Sequence, residues 1–177
     1  MKKNRFQTLI RFCVGAMLVL TAAMVANSQS LGVYTDKMAN LYPEHIGDYQ
    51  LDRSKLKTID GGDQMKAPAT GNGTGYYKNP KTGKVLILGS INFATAEQAE
   101  QTLIGQRESI ALSPQNGSPS KVGSKLIDGK VVGKRFTWNN AGSHIAWTNG
   151  SVYFHLRFAE PSKKHIDLAP LETKVNH

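Results

Sequence analysis

Cysteine is all but missing from this chain. There is one in 177 residues, Cys13, and it sits at the start of an apolar run near the N-terminus. A lipid-anchor cysteine would stand at the end of such a run, after small residues, so Cys13 does not read as one. The rest of the chain can have no disulfide framework and no thiol chemistry, and must build its stability from an ordinary core. Other signatures are also missing. No G-x-S-x-G elbow marks a hydrolase nucleophile, no Lys closes a phosphate loop, and no Cys/His spacing marks a structural metal. There are no internal repeats and no coiled-coil heptads. No segment after residue 30 is long and apolar enough to span a membrane.

The N-terminus carries a targeting pattern. Lys2, Lys3, Arg5 and Arg11 precede an uncharged stretch from Phe12 to Val25, followed by the small residues Ala26, Ser28 and Ser30. That stretch is short for a membrane span, which needs about 20 apolar residues, and has the length of a secretory h-region. Residues 1–30 are therefore expected to be a signal peptide. The mature chain, 31–177, is expected to be one exported domain, periplasmic or extracellular, with no membrane span.

The formal charge of +9 includes the four cations of the leader; without them 18 basic residues stand against 13 acidic ones. The excess is uneven. Positions 31–116 hold nine of each sign, whereas 117–164 hold eight basic residues against Asp128 and Glu160. An acidic protein or an anionic envelope component is the expected class of partner. Nucleic acid is not expected.

The periodicity predicts an α+β domain, with an antiparallel sheet of five to six strands and one main helix packed on one face. Lys55–Thr74 is rich in Gly, Asp, Lys and Pro and is read as a mobile loop. Gly71-Asn72-Gly73-Thr74-Gly75 falls at its end. It follows a loop and opens a strand, the reverse of a dinucleotide fingerprint, so it is read as part of that loop. Asn79-Pro80-Lys81-Thr82-Gly83 marks a hairpin turn between Tyr76-Tyr77 and Lys84–Ile91. Thr95 with Gln98 forms a capping box opening a helix over 95–111, and Ser113-Pro114 stops it.

A β-meander is expected over 124–158. Asp128-Gly129 and Asn149-Gly150 are two-residue hairpin signals, and Asn139–Gly142 reads as a four-residue turn. This register pairs Phe136 with Ile145, His144 with His155, and Trp147 with Val152. Phe136, Trp138, Ile145, Trp147, Phe154 and Leu156 then share a core face. Arg135, His144, Tyr153, His155 and Arg157 share the opposite, solvent face, a basic patch with an aromatic tip. Leu126 and Val131 break the alternation, which a bulge at Gly133 would restore.

That patch is the candidate partner-binding site: Arg135, His144, Tyr153, His155 and Arg157. The two histidines alone are too few for a metal, since structural zinc takes four protein ligands and catalytic zinc three. No metal, cofactor or catalytic residue is assigned. The function expected is a non-enzymatic binding domain. The alternative is a small-ligand carrier or enzyme with its site under the 55–75 loop.

One phrase carries a resemblance. Leu41-Tyr42-Pro43-Glu44-His45-Ile46-Gly47-Asp48-Tyr49 resembles the opening of bacterial signal-peptide-bearing exported domains of uncharacterised function, a phrase shared by exosortase-associated proteins. The order that follows is similar in kind: a Tyr-rich strand, a Gly-Lys turn, an apolar strand ending in Phe93, a helix beginning Thr95-Ala96-Glu97-Gln98-Ala99, and a late strand after an Asn-Gly turn. The His-Ser-Pro and Cys signature of the exosortase-associated group is absent, so no chemistry carries over. The resemblance implies export and supplies no active residue.

Overall fold

The computed structural model describes residues 36–61, 68–113, 115, 117–161 and 165–175. The signal-peptide expectation lies outside the described residues.

Nine antiparallel strands form one sheet: β1 (His45–Ile46), β2 (Tyr49–Leu51), β3 (Lys57–Asp60), β4 (Ala69–Lys78), β5 (Val85–Phe93), β6 (Gly123–Ile127), β7 (Lys130–Asn139), β8 (Ser143–Asn149) and β9 (Val152–Phe158). The strand order is β1-β2-β4-β5-β9-β8-β7-β6, with β3 also pairing β4. Among the described residues three α-helices accompany it: α1 (Asp36–Ala39), α2 (Ala96–Ala111) and α3 (Ala169–Glu172). The fold is α+β with one main helix, but the sheet is larger than the five to six strands expected.

Part of the surplus comes from 55–74, where a mobile loop was expected. Lys57–Asp60 and Ala69–Thr74 are strand, paired from Lys57↔Thr74 to Asp60↔Gly71. Low apolar content misled the reading, because glycine supplies what this strand needs. Gly71, Gly73 and Gly75 alternate onto one face of β4, and side chains from the N-terminal segment lie across them. A Cβ on Gly73 would come within 2.4 Å of the Tyr42 hydroxyl, one on Gly75 within 2.6 Å of the Tyr42 ring, and one on Gly71 within 3.1 Å of Met38 Sδ. The Tyr42 hydroxyl hydrogen-bonds Ser90 Oγ at 2.6 Å, and Ser90 is the β5 partner of Gly73. The glycines make a lane for a buried ring.

The β4–β5 turn forms where expected. Asn79 Oδ1 accepts from the Lys81 and Thr82 amides, and Gly83 adopts φ +71°. The α2 capping box forms too, with reciprocal 3.3 Å bonds between Thr95 and Gln98.

Both faces of the sheet are covered. Helix α2 presses Ala99, Leu103 and Ile110 onto Phe93, Phe136, Trp138, Ala146 and Tyr153. The opposite face buries Leu86, Leu88, Ile145, Trp147, Phe154 and Leu156 beneath Tyr42 from one end of the chain and Leu168 and Val175 from the other. Among the described residues no helix is long and apolar enough to cross a membrane.

Candidate interaction surface

The meander forms, but one turn is a residue shorter than expected, and that reassigns the faces. Asn139 pairs with Ser143, so the β7–β8 loop is Asn140–Gly142, three residues rather than four. Ala141 takes a left-handed φ of +48° to close it. A slip of one residue turns every side chain of the strand over. Phe136 therefore pairs with Ala146 and Trp138 with His144, while Arg135 pairs with Trp147. At the β8–β9 hairpin the loop is Gly150-Ser151, with Asn149 paired to Val152, and the strands slide by one residue each. That slide changes partners but preserves faces: Trp147 meets Phe154 and Ala146 meets His155. The β6–β7 hairpin closes through Asp128-Gly129, both at positive φ, as its type I′ signal demands. The bulge falls at Val132, next to Gly133: Lys125 pairs with Gly133 and Leu126 with Val131.

The expected basic patch does not assemble as a solvent face. Arg135 lies on the other side of the sheet, bonded to Glu172 at 3.0 Å. Tyr153 is buried under α2, and its hydroxyl donates to Gln106 Oε1 of that helix. Burial pushes the Tyr153 hydroxyl pKa up. His144, His155 and Arg157 share the α2 face and are partly buried. The strands that carry them are apolar on both faces, and α2 covers the second one.

What those residues form instead is a short imidazole chain. His144 Nε2 lies 3.0 Å from the Asn140 carbonyl, which can only accept, so Nε2 carries the proton and Nδ1 is a lone pair. His155 Nε2 lies 3.1 Å from that Nδ1 and must donate to it. The rings are nearly coplanar, at 16° with centroids 5.3 Å apart, as an end-to-end hydrogen bond requires. The Trp138 indole covers both, with centroids at 4.7 Å from His144 and 5.0 Å from His155. Burial, then His144 and Arg157, pushes the His155 pKa down to about 3. Burial also lowers that of His144, against the raising effect of the Asn140 bond. Both rings are neutral at pH 7. Among the described residues no three metal-ligating side chains of the His, Cys, Asp or Glu kind stand together.

The opposite face holds charges that the sequence reading missed. Lys125 Nζ meets Glu172 Oε1 at 2.9 Å, with side chains 4% and 3% exposed, and Arg135 takes the other carboxylate oxygen. Lys125 also lies 5.5 Å from the Trp147 ring centre. The parity break at Leu126 was the available signal: if Leu126 faces outward, Lys125 must face inward.

In the described part of 55–75, Tyr42 and Met38 fill the glycine lane of β4; residues 62–67 lie outside the described residues. Among the described residues, clefts elsewhere hold about 130 Å³ beside Lys84, Phe158 and Ile166 and about 190 Å³ beside Gln50, Lys78 and Pro80. Both are smaller than the roughly 300–1,000 Å³ of a small-molecule site.

Among the described residues three large apolar side chains are exposed: Leu112, 84% at the C-terminal end of α2, and two that meet at the β6–β7 corner. Leu126 is 55% and Val131 67% exposed, and the two are directly paired beside the Asp128-Gly129 tip. Lys121 and Lys130 are exposed on the same hairpin and its approach, and neither forms an ion pair among the described residues; Lys134 pairs with Glu100 at 2.9 Å.

No family model, curated protein or solved structure matches this chain. Its function is argued from the surface alone.

Proposed function

We propose that the protein is an exported, non-enzymatic interaction domain that engages an anionic envelope component through its β6–β7 corner. The observation that carries this is the exposed Leu126–Val131 pair, which joins the edge strand β6 to β7, with Lys130 beside Val131 and Lys121 just before β6 in the chain. Scattered exposed aliphatics are ordinary, but a directly paired couple on a hairpin tip is a ready contact. The lysines would steer an anionic partner, with a salt dependence that reports their number. The leader-like first thirty residues and the opening phrase at Leu41–Tyr49 support export. Strand addition at β6 is disfavoured, since the inward Lys125 and the bulge at Val132 are devices that blunt an edge.

The test is binding of the mature chain to washed envelope material at several salt concentrations. Lys121→Glu with Lys130→Glu should abolish most binding and flatten its salt dependence, and Leu126→Ser with Val131→Ser should weaken it. Binding indifferent to both pairs of changes would overturn the proposal. A small-ligand carrier or enzyme would need space beneath β3 and β4, where Tyr42 and Met38 sit.

A further inference from the structure

We propose that the His144–His155 pair is an acid-sensitive latch that seats α2 on the sheet while both imidazoles are neutral and lets it lift when they are protonated. The hydrogen-bond chain has room for its present protons and little more. Asn140 carbonyl, His144 Nε2–H, His144 Nδ1 and His155 Nε2–H use every position but His155 Nδ1. A first added proton is held by the pair with the bond intact, either at that nitrogen or at His144 Nδ1 with His155 turned to its Nδ1–H tautomer, and the cation lies against the Trp138 face. A second proton makes both facing nitrogens donors, and the bond breaks.

Among the described residues these charges meet no counter-ion. Arg157, the β9 partner of His144, is a cation, and on β5 His155 faces Gly89. On β7 the contact is the Trp138 indole. The charged groups of α2 are engaged or outward: Glu100 pairs with Lys134, Arg107 bonds the Ser120 carbonyl, Glu97 accepts from Gln101, and Glu108 is exposed. The α2 residues that meet this face, Ala99, Leu103 and Ile110, are apolar, and Gln106 is held by Tyr153. A charged pair here finds repulsion and poor solvation; the indole that covers it packs in the α2 cluster, so lifting α2 frees Trp138 and lets water reach the rings.

The direction in pH follows. An imidazole whose folded pKa lies below its ordinary 6.5 leaves the seated state unaffected above that value. It weakens that state progressively as pH falls from about 6.5 toward about 3, the value to which His155 is depressed. Lifting α2 would uncover Phe136, Trp138 and Tyr153. Among the described residues the buried cluster of the opposite face holds no histidine, so the loss should be local to α2.

The experiment is amide hydrogen exchange of the intact mature chain between pH 7 and 4, expressed as protection factors, with the imidazole nitrogen shifts recorded alongside. The α2 amides should lose about tenfold protection or more by pH 5, while β4 and β5 keep theirs. Both imidazoles should show the Nε2–H tautomer at pH 7. His155→Gln keeps a donor for His144 Nδ1 without a titrating group, and should hold α2 protected to lower pH. Three results would overturn the latch: α2 protection unchanged by acid, loss of protection in all strands together, or a His155→Gln chain that lifts at the same pH. If that variant fails to fold, the wild-type nitrogen shifts still decide: both rings titrating near 6.5 would contradict the buried pair.

Discussion

The two faces of this sheet solve one problem in opposite ways. Each buries polar side chains beneath a covering segment. On the face opposite α2, Lys125 and Arg135 share the carboxylate of Glu172. On the face under α2, His144 and His155 are neutral, joined by one hydrogen bond and roofed by Trp138. An ion pair satisfies its members at all pH values where both stay charged, but neither can lose its partner cheaply. A neutral imidazole chain avoids the desolvation of charge, and its cost appears only when protons arrive.

Breaking the charged side should have the larger effect. Glu172→Gln leaves Lys125 buried beside Arg135 with no negative charge between them, and should cost about 3–5 kcal/mol in urea unfolding at pH 7. Lys125→Met made together with Glu172→Leu should recover much of that loss, since apolar replacements of a buried pair are often neutral. A Glu172→Gln protein as stable as wild type would mean that the pair is solvated and the two faces are alike.

The α2 side can be sharpened without touching the histidines. Thr95→Ala removes the cap that starts the helix and should cost about 1 kcal/mol. If α2 is the segment that the imidazoles release, this change should also move the acid loss of α2 protection to higher pH, because less work is needed to lift it. Glu172→Gln, although more destabilising overall, should leave the difference between α2 and the central strands in place.

Much of this was legible in the sequence, and the failures have two causes. Local chemistry read correctly: the Thr95–Gln98 box, the Asn79–Gly83 turn and the Asp128-Gly129 turn each depend on neighbours within a few residues. The alternation of β8 and β9 also survived, because an error of one residue on each strand cancels. The error that mattered was the length of the Asn139–Gly142 turn. Ala141 can adopt a left-handed φ, as a three-residue loop requires, but nothing in its side chain announces it. That single residue moved Phe136 and Trp138 beneath α2, carried Arg135 to the other face, and broke up the expected binding patch. The glycine lane of β4 was illegible for a different reason. Its partner Tyr42 lies some thirty residues earlier, and the glycines are informative only once that ring is laid across them. Lys125 and Glu172 are likewise a pair made by tertiary structure alone.

The assignment of faces underlies both the surface chosen for binding and the latch, so the register of β7 against β8 is the measurement to make. Cross-strand nuclear Overhauser effects decide it directly. The structure requires contacts between Arg135 and Trp147, Phe136 and Ala146, and Trp138 and His144, with the Trp138 indole protons close to the His155 ring. Contacts between Phe136 and Ile145, with Trp138 remote from both imidazoles, would restore the four-residue turn, return Arg135 to the histidine face, and contradict the account.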